Sequence, residues 1–380
     1  MLNIQTIRLN TSLFFGVCFM SMLAIHHVAV MFPSLSSTPF ARSMSSIIIR
    51  NISVGLPSIR INSELSPNFN RTSCPLEEFS IVSWNINLLR PSSSAPEFWR
   101  SDNSGDLVIK EKCLIDSIMS SPPDVIALQE MPTQDWASTW LNRIVNDVSY
   151  AQVGEAKPSH SGYVGIFVRQ DLFPKSTKIS HIPNNNPSVA VKLKLSMLPY
   201  TMKESEKDDN VKEKSVCVIV ASSHLAPFNE NAFSRLLQMQ ALLKSLINPN
   251  DTGHNFYIFA GDLNMRSAED YKFENDAGVP LLDAWKVSGA VKDTCYTWDT
   301  FKNHFWPNGF RYRCRYDRIY FYNSISDFHA KDAVHLKVTK FGLVGDEPLL
   351  EHGGIHHYLS DHFGMRATFV LSQESNMEAN

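Results

Sequence analysis

Five short polar clusters stand in a fixed order along the chain, each at the end of an apolar run: Ser83-Trp84-Asn85-Ile86-Asn87, Leu128-Gln129-Glu130, Ser223-His224-Leu225, Gly261-Asp262-Leu263-Asn264 and Ser360-Asp361-His362. One carboxylate after a strand is commonplace. Asn, Glu, His, Asp-x-Asn and Asp-His in series supply together a metal ligand, a base and donors for a developing oxyanion, as divalent-metal phosphodiester chemistry requires. Mg²⁺ takes an octahedral oxygen shell, keeps several waters and is anchored by one or two carboxylates, and a rigid strand end such as that at Glu130 can place one of them. Asp262 and Asn264 share a face if the two-residue strand period continues past Gly261, whose missing side chain permits close backbone approach. Plainer readings stand beside these: Gly-Asp-x-Asn is a common turn, and a lone histidine after a strand is usually structural.

The elements that must carry these residues alternate. Residues 79–85, 124–129, 150–153, 162–168, 189–195, 216–223, 256–260, 318–322 and 365–371 have the short apolar character of strands, and residues 107–120, 136–145 and 231–246 that of amphipathic helices. Asn229 or Asn231 is placed to cap the last helix. Residues 203–214, KESEKDDNVKEK, are charged and lie between two strands, so they form a solvated hairpin insertion. Helices falling between more numerous strands predict an α/β (α+β) architecture of two packed sheets flanked by helices.

The 380 residues suggest two domains by length alone, yet the clusters lie on one stretch sized for a single large sandwich. A formal charge of -3 excludes a broadly basic nucleic-acid binder, so any such contact must be a local patch. The six cysteines show neither C-x-x-C nor zinc spacing and read as reduced thiols of an intracellular protein.

Taken together, the clusters resemble the endonuclease/exonuclease/phosphatase superfamily over residues 78–372. Tyr296-Thr297-Trp298-Asp299-Thr300 and Arg315-Tyr316-Asp317-Arg318-Ile319-Tyr320, with Leu282-Asp283-Ala284-Trp285, resemble its 5'-tyrosyl-DNA phosphodiesterase branch. The resemblance implies a four-layer αββα sandwich of the DNase I-like fold and an Mg²⁺ cofactor, with Mn²⁺ as substitute. Glu130 and Asp361 would lie at the metal. Asp262 would orient or deprotonate the attacking water, Asn264 and His224 would donate to the phosphoryl group, and Asn85 would hold water or carboxylates. His362, kept charged by Asp317, would stabilise the pentavalent transition state. Trp298, Arg266 and Arg315 would bind substrate, Trp298 by stacking on an unpaired base. The implied substrate is a single-stranded 5' DNA end carrying a tyrosyl adduct from trapped topoisomerase II, cleaved by a monomer in nuclear DNA repair. Another phosphodiesterase of the same fold, acting on abasic DNA, RNA or sphingomyelin, is the alternative; a silent nucleic-acid-binding scaffold is the third. One departure stands out: Asn87 and Leu88 occupy the places where the superfamily's first motif usually has Asp-Gly.

Residues 1–72 read as a separate leader, 73–372 as the catalytic domain and 373–380 as a disordered tail. Within the leader, residues 13–32 are almost unbroken in their apolar character, and no acidic residue precedes Glu64. This fits a signal peptide, a membrane anchor or an organellar transit sequence, and equally an unprocessed extension. A mitochondrial or membrane-anchored location is therefore the alternative to the nucleus.

Overall fold

The computed structural model describes residues 78–87, 113–133, 150–153, 156–173, 176–179, 182–183, 185–197, 214–247, 255–306, 311–324, 334–352 and 355–373. The leader, the helix expected at 136–145, most of the charged 203–214 segment and residues 374–380 lie outside them. The strands are, in chain order, β1 Glu78–Asn85, β2 Val125–Met131, β3 Tyr150–Gln152, β4 Lys157–Ser159, β5 Gly162–Arg169, β6 Thr177–Lys178, β7 Ser188–Met197, β8 Lys214–His224 and β9 Asn255–Asp262. They continue as β10 Leu282–Asp283, β11 Trp298–Asp299, β12 Arg313–Cys314, β13 Asp317–Ser324, β14 Val334–Val344, β15 Leu350–His352, β16 Ile355–His357 and β17 Gly364–Gln373.

Among the described residues, one seven-stranded sheet runs β14-β17-β1-β2-β5-β3, with β4 also paired to β5, and a six-stranded sheet runs β10-β13-β9-β8-β7-β6. Successive strand residues point to opposite faces, and both faces are dry here. Phe79 and Ile81 of β1 join Val191, Val218 and Ile258 of the second sheet in the core between the sheets. Val82 and Trp84 point the other way, onto Leu114, Ile115 and Ile118 of a helix within residues 113–119. Tyr257 and Phe259 likewise meet Met239, Leu242 and Leu243 of the helix Ala232–Leu246. Helix, sheet, sheet and helix are the four layers of the DNase I-like αββα sandwich.

The parallel pairs follow from this arrangement. β1 and β2 are parallel, as are β8 and β9, so each pair needs a crossover long enough to hold a helix. The helix Ala232–Leu246 lies within the second crossover. Its capping differs from expectation: Asn231 occupies the N-cap position but makes no capping bond, because its Nδ2 instead donates to Pro227 O (2.7 Å).

Candidate active site

Each parallel pair brings its carboxyl ends to the same edge of the sandwich. Asn85 ends β1, Glu130 lies one residue before the end of β2, and His224 and Asp262 end β8 and β9 directly opposite one another. Antiparallel β13 begins there with Asp317 beside Asp262, and His362 lies two residues before β17. Strands far apart in sequence thus deliver six polar side chains to one place. The register demands a glycine at 261: a Cβ there would stand 2.0 Å from Ser223 O. Glu130 has φ 57 where the β2–β5 register shifts, which turns its side chain off the strand's alternation. Gly162 of β5 lies so close that a Cβ would meet Glu130 Cα at 2.9 Å.

Asp262 Oδ2 is the hub. Asn85 Nδ2 donates to it and to Glu130 Oε1, each at 3.0 Å. His224 Nε2 stands 3.4 Å from the same oxygen and 3.7 Å from Glu130 Oε1, and His362 Nε2 stands 3.7 Å from the hub. His362 Nδ1 meets Asp317 Oδ2 at 2.8 Å. Burial alone would raise the Asp262 carboxyl, but His362, His224, the Asn85 amide and the Asn264 N–H hold it below the ordinary carboxylate range. Burial alone would likewise drain charge from His362. The Asp317 and Asp262 carboxylates overcome that and keep its imidazole protonated well above the ordinary histidine value.

Glu130, His224 and Asp262 place ligand atoms within 4.8 Å of one another, as do Asp262, Asp317 and His362. The first set suits a divalent cation through its two carboxylates, Glu130 and Asp262, and the Glu130 side chain is 13% exposed, leaving room for water. The second set is closed by the His362–Asp317 bond.

Three of the expected site residues have partners within the protein. Asp361 belongs to neither ligand group: its Oδ1 accepts from Asn87 Nδ2 and its Oδ2 from Trp306 Nε1, each at 2.8 Å. These neutral donors make it a clasp between the Ser360-Asp361-His362 turn and the loop after β1. Arg315 is buried and bonded to Asp283 Oδ2 (2.5 Å) and Asp270 Oδ2 (3.1 Å), with its guanidinium 4.4 Å from the Trp285 ring centre. The shared face of Asp262 and Asn264 also fails, because β9 stops at Asp262. Asn264 turns to φ 52, its N–H donates to Asp262 Oδ1 (2.9 Å) and its Nδ2 to Leu225 O (3.0 Å).

Trp298 is half-buried, its ring edge-on to His362 at 5.0 Å and to Tyr316 at 5.9 Å. Arg266 stacks over Tyr316 at 5.2 Å, completing an aromatic and cationic flank on the His362 side. Several positioning contacts could not be read from the sequence. Ser159 Oγ bonds His224 Nδ1 (3.1 Å) from the β4–β5 hairpin, and Thr297 Oγ1 accepts the Asp317 N–H (3.1 Å). Fully buried Arg235 binds both oxygens of Glu269 (2.6 and 2.9 Å) and donates to Ala226 O and Phe228 O, bracing the loop after His224. Only the spacing of Arg235 on a helix of otherwise apolar inward positions could have flagged it.

The family model described as Endonuclease/Exonuclease/phosphatase family matches residues 82–362, first motif to last. The chain belongs to this family. Within it, the chain is 32% identical over 151 residues to tyrosyl-DNA phosphodiesterase 2 of Danio rerio, covering 39% of this chain and 37% of that protein. It is 24% identical over 297 residues to the 5'-tyrosyl-DNA phosphodiesterase of Caenorhabditis briggsae, covering 77% of this chain and 69% of that one. The chain thus spans little more than a third of the length of most of the curated relatives it matches. The crystal structure of Danio rerio tyrosyl-DNA phosphodiesterase 2 complexed with a single-strand DNA product shares the fold, with a TM-score of 0.53, 22% identity and coverage of 77% of this chain and 98% of that one. The family's fold accounts for both packed sheets and for the edge on which the polar residues meet.

Proposed function

We propose that this protein hydrolyses the phosphodiester between a protein tyrosine and a DNA 5' end, leaving a 5' phosphate, and that it does so in the nucleus as a repair enzyme clearing trapped topoisomerase II. The observation that carries the reading is the convergence of Asn85 Nδ2, His224 Nε2 and His362 Nε2 on Asp262 Oδ2 within 3.0–3.7 Å. Further support comes from the Trp298–Tyr316–Arg266 flank and from the names of the relatives.

In this mechanism Asp262, ionised, orients a water for in-line attack on phosphorus and takes its proton. His362, charged through Asp317, and His224, tethered by Ser159, donate to the phosphoryl oxygens as negative charge accumulates. Asn85 holds Glu130 and Asp262 apart at fixed distance, and Asn264 presents its amide from a rigid turn. The new bond joins water oxygen to phosphorus, the bond to the tyrosyl oxygen breaks, and the phenolate departs with the electron pair. Because a phenolate is a good leaving group, positioning and charge neutralisation suffice without a covalent intermediate. Glu130 would hold Mg²⁺ or Mn²⁺ beside Asp262, and the ion when bound would supply Lewis-acid neutralisation of the phosphoryl oxygen. Trp298 and Tyr316 would stack on unpaired bases and Arg266 would meet the strand's phosphates.

The test offers the protein, with Mg²⁺, a 5'-phosphotyrosyl oligonucleotide, an abasic duplex and sphingomyelin, each beside an Asp262→Asn control. Tyrosine release that the control lacks is the expected result. Turnover of another substrate alone would overturn the assignment of substrate while leaving the site's chemistry in place.

A further inference from the structure

Gln129 stands in the second polar cluster and takes no part in the chemistry above. The site is divided between the two sheets: Asn85 and Glu130 stand on strands of one, and His224, Asp262 and Asp317 on strands of the other. Asn85 Nδ2 faces Asp262 Oδ2 across that gap at 3.0 Å, and Glu130 Oε1 faces His224 Nε2 at 3.7 Å. These distances depend on how one sheet sits on the other.

The two-residue strand period fills the gap in layers. Ile81, Val125, Val220 and Ile258 lie in the apolar core between the sheets. Two residues beyond Ile81 and Val220 come Ser83 and Ser222, and two further on Asn85 and His224. Gln129 is beside Asn85 in the parallel register and immediately before Glu130. Its Nε2 donates across the gap to Ser222 Oγ at 3.0 Å, with Ser83 Oγ at 3.4 Å and Ala127 O at 3.3 Å on its own sheet. Ser83, Gln129 and Ser222 are at most 1% exposed.

An apolar side chain of the same length would fill this space without the desolvation cost of an amide. What the amide adds is direction, because a hydrogen bond prefers one distance and angle whereas apolar contact tolerates sliding. Asn85 and His362 bridge to Asp262 and Asp317 as well, but with the groups that must engage water and substrate. Gln129 crosses behind them.

We infer that Gln129 is a positioning residue, which pins one sheet to the other behind the reacting groups and so fixes the spacing between the Asn85–Glu130 and His224–Asp262 halves of the site. The inference rests on the proposed site and not on which phosphodiester is cleaved there.

Gln129→Met removes the amide at nearly constant volume, and adding Ser83→Ala and Ser222→Ala makes the whole layer apolar, leaving no hydroxyl deprived of its partner. The experiment uses the full chain and measures kcat and KM on the 4-nitrophenyl ester of thymidine 5'-monophosphate, Mn²⁺ affinity by water proton relaxation, and the urea midpoint. The triple variant should unfold at or above the parental midpoint. Its kcat should nonetheless fall about 10- to 100-fold with KM little changed, and Mn²⁺ should bind about 10-fold more weakly, because Glu130 and Asp262 no longer keep their spacing. Parental kcat and Mn²⁺ affinity in a stable triple variant would overturn the inference, since the amide would then serve stability alone. Should the triple variant not fold, Ser222→Ala decides, as it removes only the acceptor across the gap: smaller losses of the same kind sustain the inference, and parental values overturn it. A parent that cleaves the ester but no tyrosyl oligonucleotide would strike the substrate assignment and leave this test intact. A parent inert on both leaves Mn²⁺ affinity to decide.

Discussion

Replacing Asp317 by Asn removes one charge and almost no volume from the centre of the site. The carboxylate lies 2.8 Å from His362 Nδ1, both groups are buried, and the other nitrogen of the ring faces Asp262 at 3.7 Å. An amide can accept the Nδ1–H bond, so the ring keeps its orientation; what disappears is the attraction that holds the imidazole protonated. With burial no longer offset by Asp317, the cation becomes costly, and a neutral imidazole is a weaker donor to a phosphoryl group gaining negative charge. One preorganised donor of this kind is worth about 3 kcal/mol in the transition state, so kcat should fall by about 10²- to 10³-fold with KM little changed. The sign of the pH effect follows from the raised histidine value. The cation is present below that value and lost as pH rises through it, so the variant's alkaline decline should move to lower pH. The assay is steady-state cleavage of the nitrophenyl thymidine ester from pH 5.5 to 9, in Asp317→Asn, His362→Ala and the double variant, with circular dichroism as a control for folding. In the His362→Ala background, Asp317→Asn should cost almost nothing more. An unchanged kcat, or two losses that simply multiply, would refute the argument that Asp317 works through His362.

Glu130→Ala should abolish Mg²⁺-dependent turnover and the binding of Mn²⁺ seen by water proton relaxation; parental activity at saturating Mg²⁺ would remove Glu130 from the metal site. Trp298→Ala should weaken cleavage of single-stranded 5' ends by the stacking of one base, about 1–3 kcal/mol, and spare the small ester. Equal losses on both would assign Trp298 to supporting His362, whose ring it touches. Asp270→Asn should cost about 2 kcal/mol at pH 7 in urea unfolding, because it removes one of the two carboxylates that Arg318 and Arg315 share and leaves Asp283 alone between them. Burial tends to raise the Asp270 carboxyl, but Arg318, Arg315 and Lys286 outweigh it and lower it. Its contribution is therefore present above the unfolded value near pH 3.9 and is lost as pH falls through the lower folded value. The parent should lose more stability than the variant on acidification from pH 5 to 3, and parallel curves would contradict the ion-pair account.

Much of the site is legible in the chain because its residues end strands. Apolar runs such as Ile81-Val82 before Asn85 and Phe256 to Ala260 before Asp262 mark buried strands by composition, and a polar residue at such an end has few places to go except a shared sheet edge. The same local signal misled at Asn264. Alternation continues only while the ladder continues, and the Asp262 carboxylate accepts the Asn264 N–H two residues on to begin a turn.

What sequence determined, then, is most of the long strands, though not β14, with their buried character and the residue types at their ends, because a continuous apolar run and the polar residue that closes it are local properties. Which of those residues work together was decided only in three dimensions. Asp361 and Arg315 carry charges as plausible for function as those of Glu130 and Arg266. Only the fold shows that Asn87 and Trp306 bond to Asp361 and that Asp283, Asp270 and Trp285 surround Arg315. The bonds made by Ser159, Thr297 and Arg235 are equally unreadable beforehand, since a hydrogen bond across 20 to 65 residues depends on sheet register and loop path. Packing two sheets face to face fixes those paths, and with them which charge meets a partner and which is left to meet a substrate.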